Sequence, residues 1–191
     1  MEISVKDFAQ FHREQQLEWK QKCLTLLLDA KEAENWEEFI TIALTRYEVM
    51  PEAFTFYEQI PDNLKYNFAI SAYMHHGDSL PAVRKAVRSA LKYGAPVLPP
   101  EIAAQETITI YRAGEEDITK CKYRISWSTD INTALFFLNT YGGRHANYLY
   151  KGQIKTADII AYTNERKENE IMQYNKVFNI ELLQTYKTTR A

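Results

Sequence analysis

Cysteine is nearly absent. Cys23 and Cys121 are the only two in 191 residues, far apart in the chain and without a CxxC spacing or a histidine cluster beside them. That excludes a disulfide framework and a zinc-organised fold, and it fits reduced thiols in a cytosol. An excess of one charge is missing too, with 23 basic against 25 acidic residues, so phosphate-backbone electrostatics give no support for a nucleic-acid partner. No long uncharged apolar run occurs, and the amino terminus has neither a positive flank nor an apolar core. The expectation is a soluble, unprocessed, cytoplasmic protein with no membrane partner. Delivery into a host-cell cytoplasm is the alternative, and it would leave no mark in these residues. Internal repeats and low-complexity tracts are also lacking.

What is present divides into two textures near residue 95. From Val5 to Gly94 apolar residues recur at helical spacing. Phe8, Phe11, Leu17, Cys23, Leu24, Leu27 and Leu28 predict one or two early helices. Trp36, Phe39, Ile40 and Leu44 predict another, capped by Asn35 with Glu37 and Glu38 in its first turn. Pro51 opens a short helix with Phe54 and Tyr57, and Asp62 is the expected cap of the next. A helix over 79–93 has Ser79 as its cap, Pro81 in its first turn and Gly94 as a left-handed end. Val83, Val87 and Leu91 form its apolar stripe. Arg84, Arg88 and Lys92 form a basic one, read first as a solvated face and second as a grip on an anionic cofactor. Pro96, Pro99 and Pro100 then break any helix and predict a semi-rigid linker.

Beyond the linker, β-branched and aromatic residues predict strands over 107–111, 122–126, 146–151, 157–162, 170–173 and 177–182. A single helix from Asn132 to about Thr140 interrupts them, with Asp130 at its start and Gly142-Gly143 after it. The expected fold is α+β: a helical region over 1–95 packed on a mostly antiparallel, split β core over 96–191, with a cleft between the sheets.

The second half also holds residue types that suit one reaction. Arg112 ends the first strand in Tyr111-Arg112-Ala113-Gly114, Ser126 and Ser128 flank Trp127, and Glu168 and Glu170 flank Asn169. Cleaving the bond between ribose and a pyridinium base requires no general acid, because the leaving group is already cationic, and its transition state resembles an oxocarbenium ion. A carboxylate would stabilise that charge, an arginine fork would hold an oxygen-rich group, and a serine would orient them. In extended chain Ser126 and Ser128 share a face with Trp127 opposite, and Glu168 and Glu170 share a face likewise.

These segments resemble the arginine-serine-glutamate clade of mono-ADP-ribosyltransferases. The stretch Ser126-Trp127-Ser128-Thr129-Asp130, leading to Ala134, Phe136 and Phe137, is similar to that clade's serine strand and following helix. Tyr111-Arg112-Ala113-Gly114 is similar to its arginine motif, and Glu168-Asn169-Glu170 to its paired glutamates. The likeness covers 107–183. Trp127 stands where the clade has a middle threonine, and Ala113 separates the arginine from the glycine. In a looser way the chain resembles phage-encoded members. The likeness implies NAD as substrate, a protein acceptor modified most often on arginine, and no metal. It casts Arg112, Ser126, Glu168 and Glu170 as catalytic, and adds Ala113, Gly114, Trp127, Ser128 and Phe137 to the cofactor site. Apart from the likeness, Arg144 has a second reading, after a flexible turn, as another phosphate contact over the cofactor. An NAD glycohydrolase and a non-catalytic binding module of the same fold are the alternatives.

Plainer readings stand beside these. Ser128 and Thr129 suit a helix cap, residues 165–168 a charged hairpin loop, and residues 141–144 a flexible turn. Tyr148 and Tyr150 suit a strand core or a stack on nicotinamide, Trp36 and Trp127 suit core, and His75-His76 suits a turn rather than a metal site.

Overall fold

The computed structural model describes residues 5–142 and 144–186, with side chains from residue 10 onward except Asp78. The side chain of Phe8 and the residue Gly143 lie outside the described residues. The chain forms two compact units, residues 1–94 and 95–191.

The first unit is helical: α1 (Val5–Glu32), α2 (Trp36–Thr45), α3 (Met50–Thr55), α4 (Asp62–His76) and α5 (Pro81–Ser89), with short 3-10 turns between some of them. The early periodicity makes one helix of 28 residues. It packs on α2 and on the turn at Tyr47–Val49, burying Cys23, Leu27 and Ala30 near its carboxyl end. Phe11 and Leu17, expected in the same stripe, are 58% and 68% exposed. Asn35 caps α2 as expected: its side chain accepts from Glu38 N–H at 3.3 Å and donates to Glu38 Oε2 at 2.8 Å. Trp36 is half-buried rather than core and meets Phe39 edge-on at 5.4 Å. Phe54 stacks on Phe68 and on Tyr57 at 5.0 and 5.6 Å, which gives this unit its aromatic centre.

Three expected caps are replaced. Asp62 is the first residue of α4 instead of its cap, and its carboxylate pairs with Lys65 Nζ at 2.8 Å. Ser79 donates to the His76 carbonyl at 2.8 Å, so it closes the preceding turn and leaves α5 to start at Pro81 without a side-chain cap. Gly94 has no left-handed φ; a Cβ there would lie 2.6 Å from the Tyr66 ring, so close packing accounts for the glycine. Among the described glycines the left-handed one is Gly77, which ends α4 with φ 58°. Val83 and Val87 are buried, whereas Leu91 is exposed. The 3-10 turn at Ala90–Lys92 has three residues per turn, so Ala90 takes the inward place that α-helical spacing assigns to Leu91.

His76 creates a pH dependence in this unit. Both ring nitrogens are buried without a hydrogen-bond partner, and the Tyr47 ring packs 4.8 Å away. Burial first, and the neighbouring His75 second, hold its pKa below the ordinary histidine value. The folded state therefore binds fewer protons than the unfolded one, and stability falls as pH drops through the unfolded value of ~6.5. His76→Phe is expected to flatten that acid-side fall in thermal melting temperature; an unchanged slope would assign it to other groups.

The second unit contains α6 (Pro100–Ala103), β1 (Thr107–Gly114), α7 (Ile118–Cys121), β2 (Ser126–Ser128), α8 (Ile131–Tyr141), β3 (Tyr148–Lys155), β4 (Ala161–Thr163), β5 (Glu170–Met172) and β6 (Phe178–Thr185). Residues 94–99 have no regular structure. The α+β class holds: the six strands among the described residues join in the order β4-β5-β2-β1-β3-β6, and these strand pairings are antiparallel. The expected cleft between two sheets is thus revised. One hydrogen-bonded order runs throughout, but β1 and β2 share a single registered pair, Tyr111 with Ser128, where β1 and β3 pair along eight residues.

The strand over 122–126 is corrected. Asp117 accepts from Thr119 N–H and Lys120 N–H at 2.9 and 3.2 Å, nucleating α7, so that β2 starts only at Ser126. The strand over 157–162 is shortened because Thr156–Asp158 forms a 3-10 turn. One core cluster gathers Ile110, Trp127, Tyr150, Ile154 and Ile171. A second sets Ala134 and Leu138 of α8 against Ala146 and Leu149, with Tyr111 and Ala113 beside them. Alternation along β1 explains the division, since Ile108 and Ile110 face one cluster and Tyr111 and Ala113 the other. No helix among the described residues is long and apolar enough to cross a membrane.

Candidate functional site

Strand register brings the polar residues together. Ser128 pairs with Tyr111 on one side and with Glu170 on the other, while Ser126 pairs with Met172. Side chains on one cross-strand row share a face, so Ser126, Ser128 and Glu170 point one way and Trp127 and Ile171 point into the core. Helix α8 closes this face. Asp130 caps it by accepting from Asn132 N–H at 2.9 Å, which fixes the turn by which Thr133, Ala134 and Phe137 reach the same space.

The result is a cavity of about 200 Å³, walled by β1 through Tyr111, Arg112 and Ala113, by β2 through Ser126, Trp127 and Ser128, by α8, and by Glu168 and Glu170. Pockets that take a whole drug-sized ligand run from roughly 300 to 1,000 Å³. This one has room for a sugar and part of its substituents, with the remainder of a larger ligand lying outside.

Two charge clusters border it. In the first, Arg112 Nη1 donates to the Ser126 carbonyl at 2.7 Å, at the join where β1 and β2 share only one residue pair. Arg112 Nη2 lies 3.6 Å from Glu116 Oε1, and that carboxylate also pairs closely with Arg124 Nε. Arg112 Nε is buried without a partner. In the second cluster, Arg166 Nη2 lies 2.8 Å from Glu170 Oε2 and 3.0 Å from Glu168 Oε2. The Glu170 side chain is 3% exposed, and its Oε1 is buried without a partner. Arginine and carboxylate in such geometry make charge-assisted hydrogen bonds.

The two carboxylates differ in surroundings. Burial raises the Glu168 pKa above the ordinary carboxylate value, and the nearby Glu170 charge adds to the rise while Arg166 opposes it. Glu168 reaches the cavity by a route that simple alternation does not describe. It precedes β5, and Asn169 between the glutamates takes a left-handed φ of 46°, held by Tyr162 Oη donating to Asn169 Oδ1 at 2.9 Å. Ser128 Oγ donates to the Glu168 carbonyl at 2.6 Å and accepts from Asp130 N–H at 3.0 Å. Its hydroxyl therefore braces the loop and the residue that caps α8; the cap itself is Asp130, not Ser128 or Thr129.

Of the residues singled out from sequence, Arg112, Ala113, Ser126, Trp127, Ser128, Phe137, Glu168 and Glu170 all line this cavity. Gly114 and Arg144 are not among its lining residues. At Gly114 a Cβ would collide with Glu116 Oε2, so the glycine admits that carboxylate. Arg144 is exposed, in the turn where its N–H donates to the Tyr141 carbonyl at 3.1 Å. Tyr150 is core, 2% exposed, and donates to the Glu116 carbonyl at 2.6 Å, which removes it as a ring for stacking on a ligand. Cys121 is free and buried, its thiol pushed up to about 11 by burial, so it is no nucleophile at neutral pH.

Comparison with protein-family models, with curated proteins and with solved structures finds no match for the chain. Glu116, Arg124 and Arg166 are the charged groups that sequence reasoning passed over. Arg166 carried a signal, four residues before Glu170 and two before Glu168, but a run of four charged residues reads equally well as a solvated loop. Its neighbours Glu165 and Lys167 are indeed exposed.

Proposed function

We propose that the second unit is an NAD-dependent mono-ADP-ribosyltransferase acting on a protein acceptor, most readily on arginine. The observation that carries the reading is that Arg112, Ser126, Glu168 and Glu170 all line one small cavity, with Glu170 Oε1 buried without a partner. A buried carboxylate oxygen is costly unless something pairs with it. A ribose hydroxyl and the positive charge developing at its anomeric carbon are suitable complements.

In this reading Glu170 bonds the ribose and stabilises the oxocarbenium-like transition state. Arg112 keeps donor capacity beyond its bond to Ser126 and holds the oxygen-rich part of the dinucleotide. Ser126 orients the sugar, and Glu168 takes the proton that the acceptor loses. A carboxyl with a raised pKa suits a proton acceptor, because its basicity is moved toward neutral. The ion pairs of Arg166 with Glu168 and Glu170 support the acceptor class, since these carboxylates already bind a guanidinium.

The test is incubation with labelled NAD, following released nicotinamide and label on protein separately. Transfer should rise with pH through a value above the ordinary carboxylate range, as Glu168 ionises. Glu168→Gln should remove that limb and reduce transfer more than hydrolysis. Equal loss of both would take the acceptor role from Glu168, release without protein label would favour an NAD glycohydrolase, and no nicotinamide from the unaltered chain would end the proposal.

A further inference from the structure

The carboxylate that faces Arg112 is itself held from several sides. Glu116 lies in the turn between β1 and α7 with its side chain 10% exposed, and it is not among the residues lining the cavity. Tyr150 Oη donates to its backbone carbonyl at 2.6 Å. Arg124 Nε pairs closely with its Oε1, and Gly114 leaves room for its Oε2, which a Cβ there would meet. The same Oε1 lies 3.6 Å from Arg112 Nη2.

Resting on the transferase reading above, we propose that Glu116 is a positioning residue, which acts on NAD through Arg112 by setting where the guanidinium fork lies. Arginine has a long side chain with many rotamers, and a fork held at two points before the ligand arrives has less freedom to lose on binding. The Ser126 carbonyl supplies one point, accepting from Nη1 at 2.7 Å. Glu116 supplies the other at Nη2, and the remaining N–H donors of the guanidinium are left for the dinucleotide.

Positioning and simple charge neutralisation predict opposite effects on NAD. One carboxylate stands between two guanidinium groups, so removing its charge leaves Arg112 and Arg124 to repel each other. Arg112 then leaves its place beside Ser126, and NAD binds more weakly. A carboxylate that only damped the local field would give the reverse, because the anionic diphosphate of NAD would meet a more positive wall and bind more tightly.

The experiment is steady-state nicotinamide release by the full chain as a function of NAD concentration, with a thermal melt of each variant. Glu116→Gln should raise KM for NAD about tenfold, the scale of one charge-assisted hydrogen bond, and leave kcat within about threefold. Added to Arg112→Lys, it should lower kcat/KM no further, since a residue that acts through Arg112 has nothing to act on once Arg112 is replaced. Glu116→Gln combined with Arg124→Gln restores the charge balance of the cluster and should keep the raised KM; where Glu116→Gln alone does not fold, this charge-balanced chain decides. A KM unchanged or lowered, or losses that multiply in the variant combined with Arg112→Lys, overturns this inference and leaves the transferase reading in place. Absence of nicotinamide release from the unaltered chain overturns both.

Discussion

Glu170→Gln is expected to lower nicotinamide release by at least about 10²–10³-fold, the usual cost of removing one well-placed electrostatic stabiliser from a transition state. The substitution keeps the size of the side chain and removes the charge that the oxocarbenium-like centre would need. The fold should survive it. Glu170 is 2% exposed and pairs with Arg166, so the amide strands no buried charge; Arg166 keeps Glu168 at 3.0 Å and is half in solvent. Circular dichroism and a cooperative melt resembling that of the unaltered chain should accompany the loss of activity. Undiminished release from a well-folded Glu170→Gln chain would dismiss Glu170, and with it the chemistry proposed for the cavity.

Trp127→Ala should cost about 3–5 kcal/mol of stability, as truncation of a large buried aromatic does. Typical domains hold only about 5–15 kcal/mol in total. Trp127 is 2% exposed, clusters with Ile110, Tyr150, Ile154 and Ile171, and donates Nε1 to the Arg124 carbonyl at 3.2 Å. Its strand β2 is three residues long and is held by β5 on one side and by a single pair with β1 on the other. A cavity beneath β2 would loosen Ser126 and Ser128 together, because all three share one short segment. Urea unfolding measures the loss, and Trp127→Phe should recover most of it by refilling the core while forgoing the indole hydrogen bond. A cost near zero for the alanine variant would mean that the sheet is anchored elsewhere.

The features legible in the residues are those decided by near neighbours. Asn35 and Asp130 cap α2 and α8 as their types and positions indicate, since an N-cap bond spans only two or three residues. The strand character of 107–111 continues through Arg112, so the arginine is held by β1. Misreadings arose where one local signal met a stronger partner. Ser79 and Asp62 are good cap residues, yet each found another hydrogen bond, to the His76 carbonyl and to Lys65. Tyr123 and Ile125 favour the strand expected over 122–126, but the Asp117 carboxylate satisfies two backbone donors and makes α7, and β2 begins only at Ser126.

By itself the sequence determined the division into a helical and a strand-rich part, the helices with side-chain caps, and the order in which arginine, serine and glutamate arrive. These follow from periodicity and from interactions within a turn or two, which the chain carries wherever it is. Only the tertiary structure decided that β2 lies between β1 and β5, so that residues separated by forty positions bond as Ser128 does to Glu168. The charge partners were settled at the same level, because which carboxylate meets Arg112, and which guanidinium meets Glu170, depends on how loops fold over the sheet and on burial that raises the worth of each pairing.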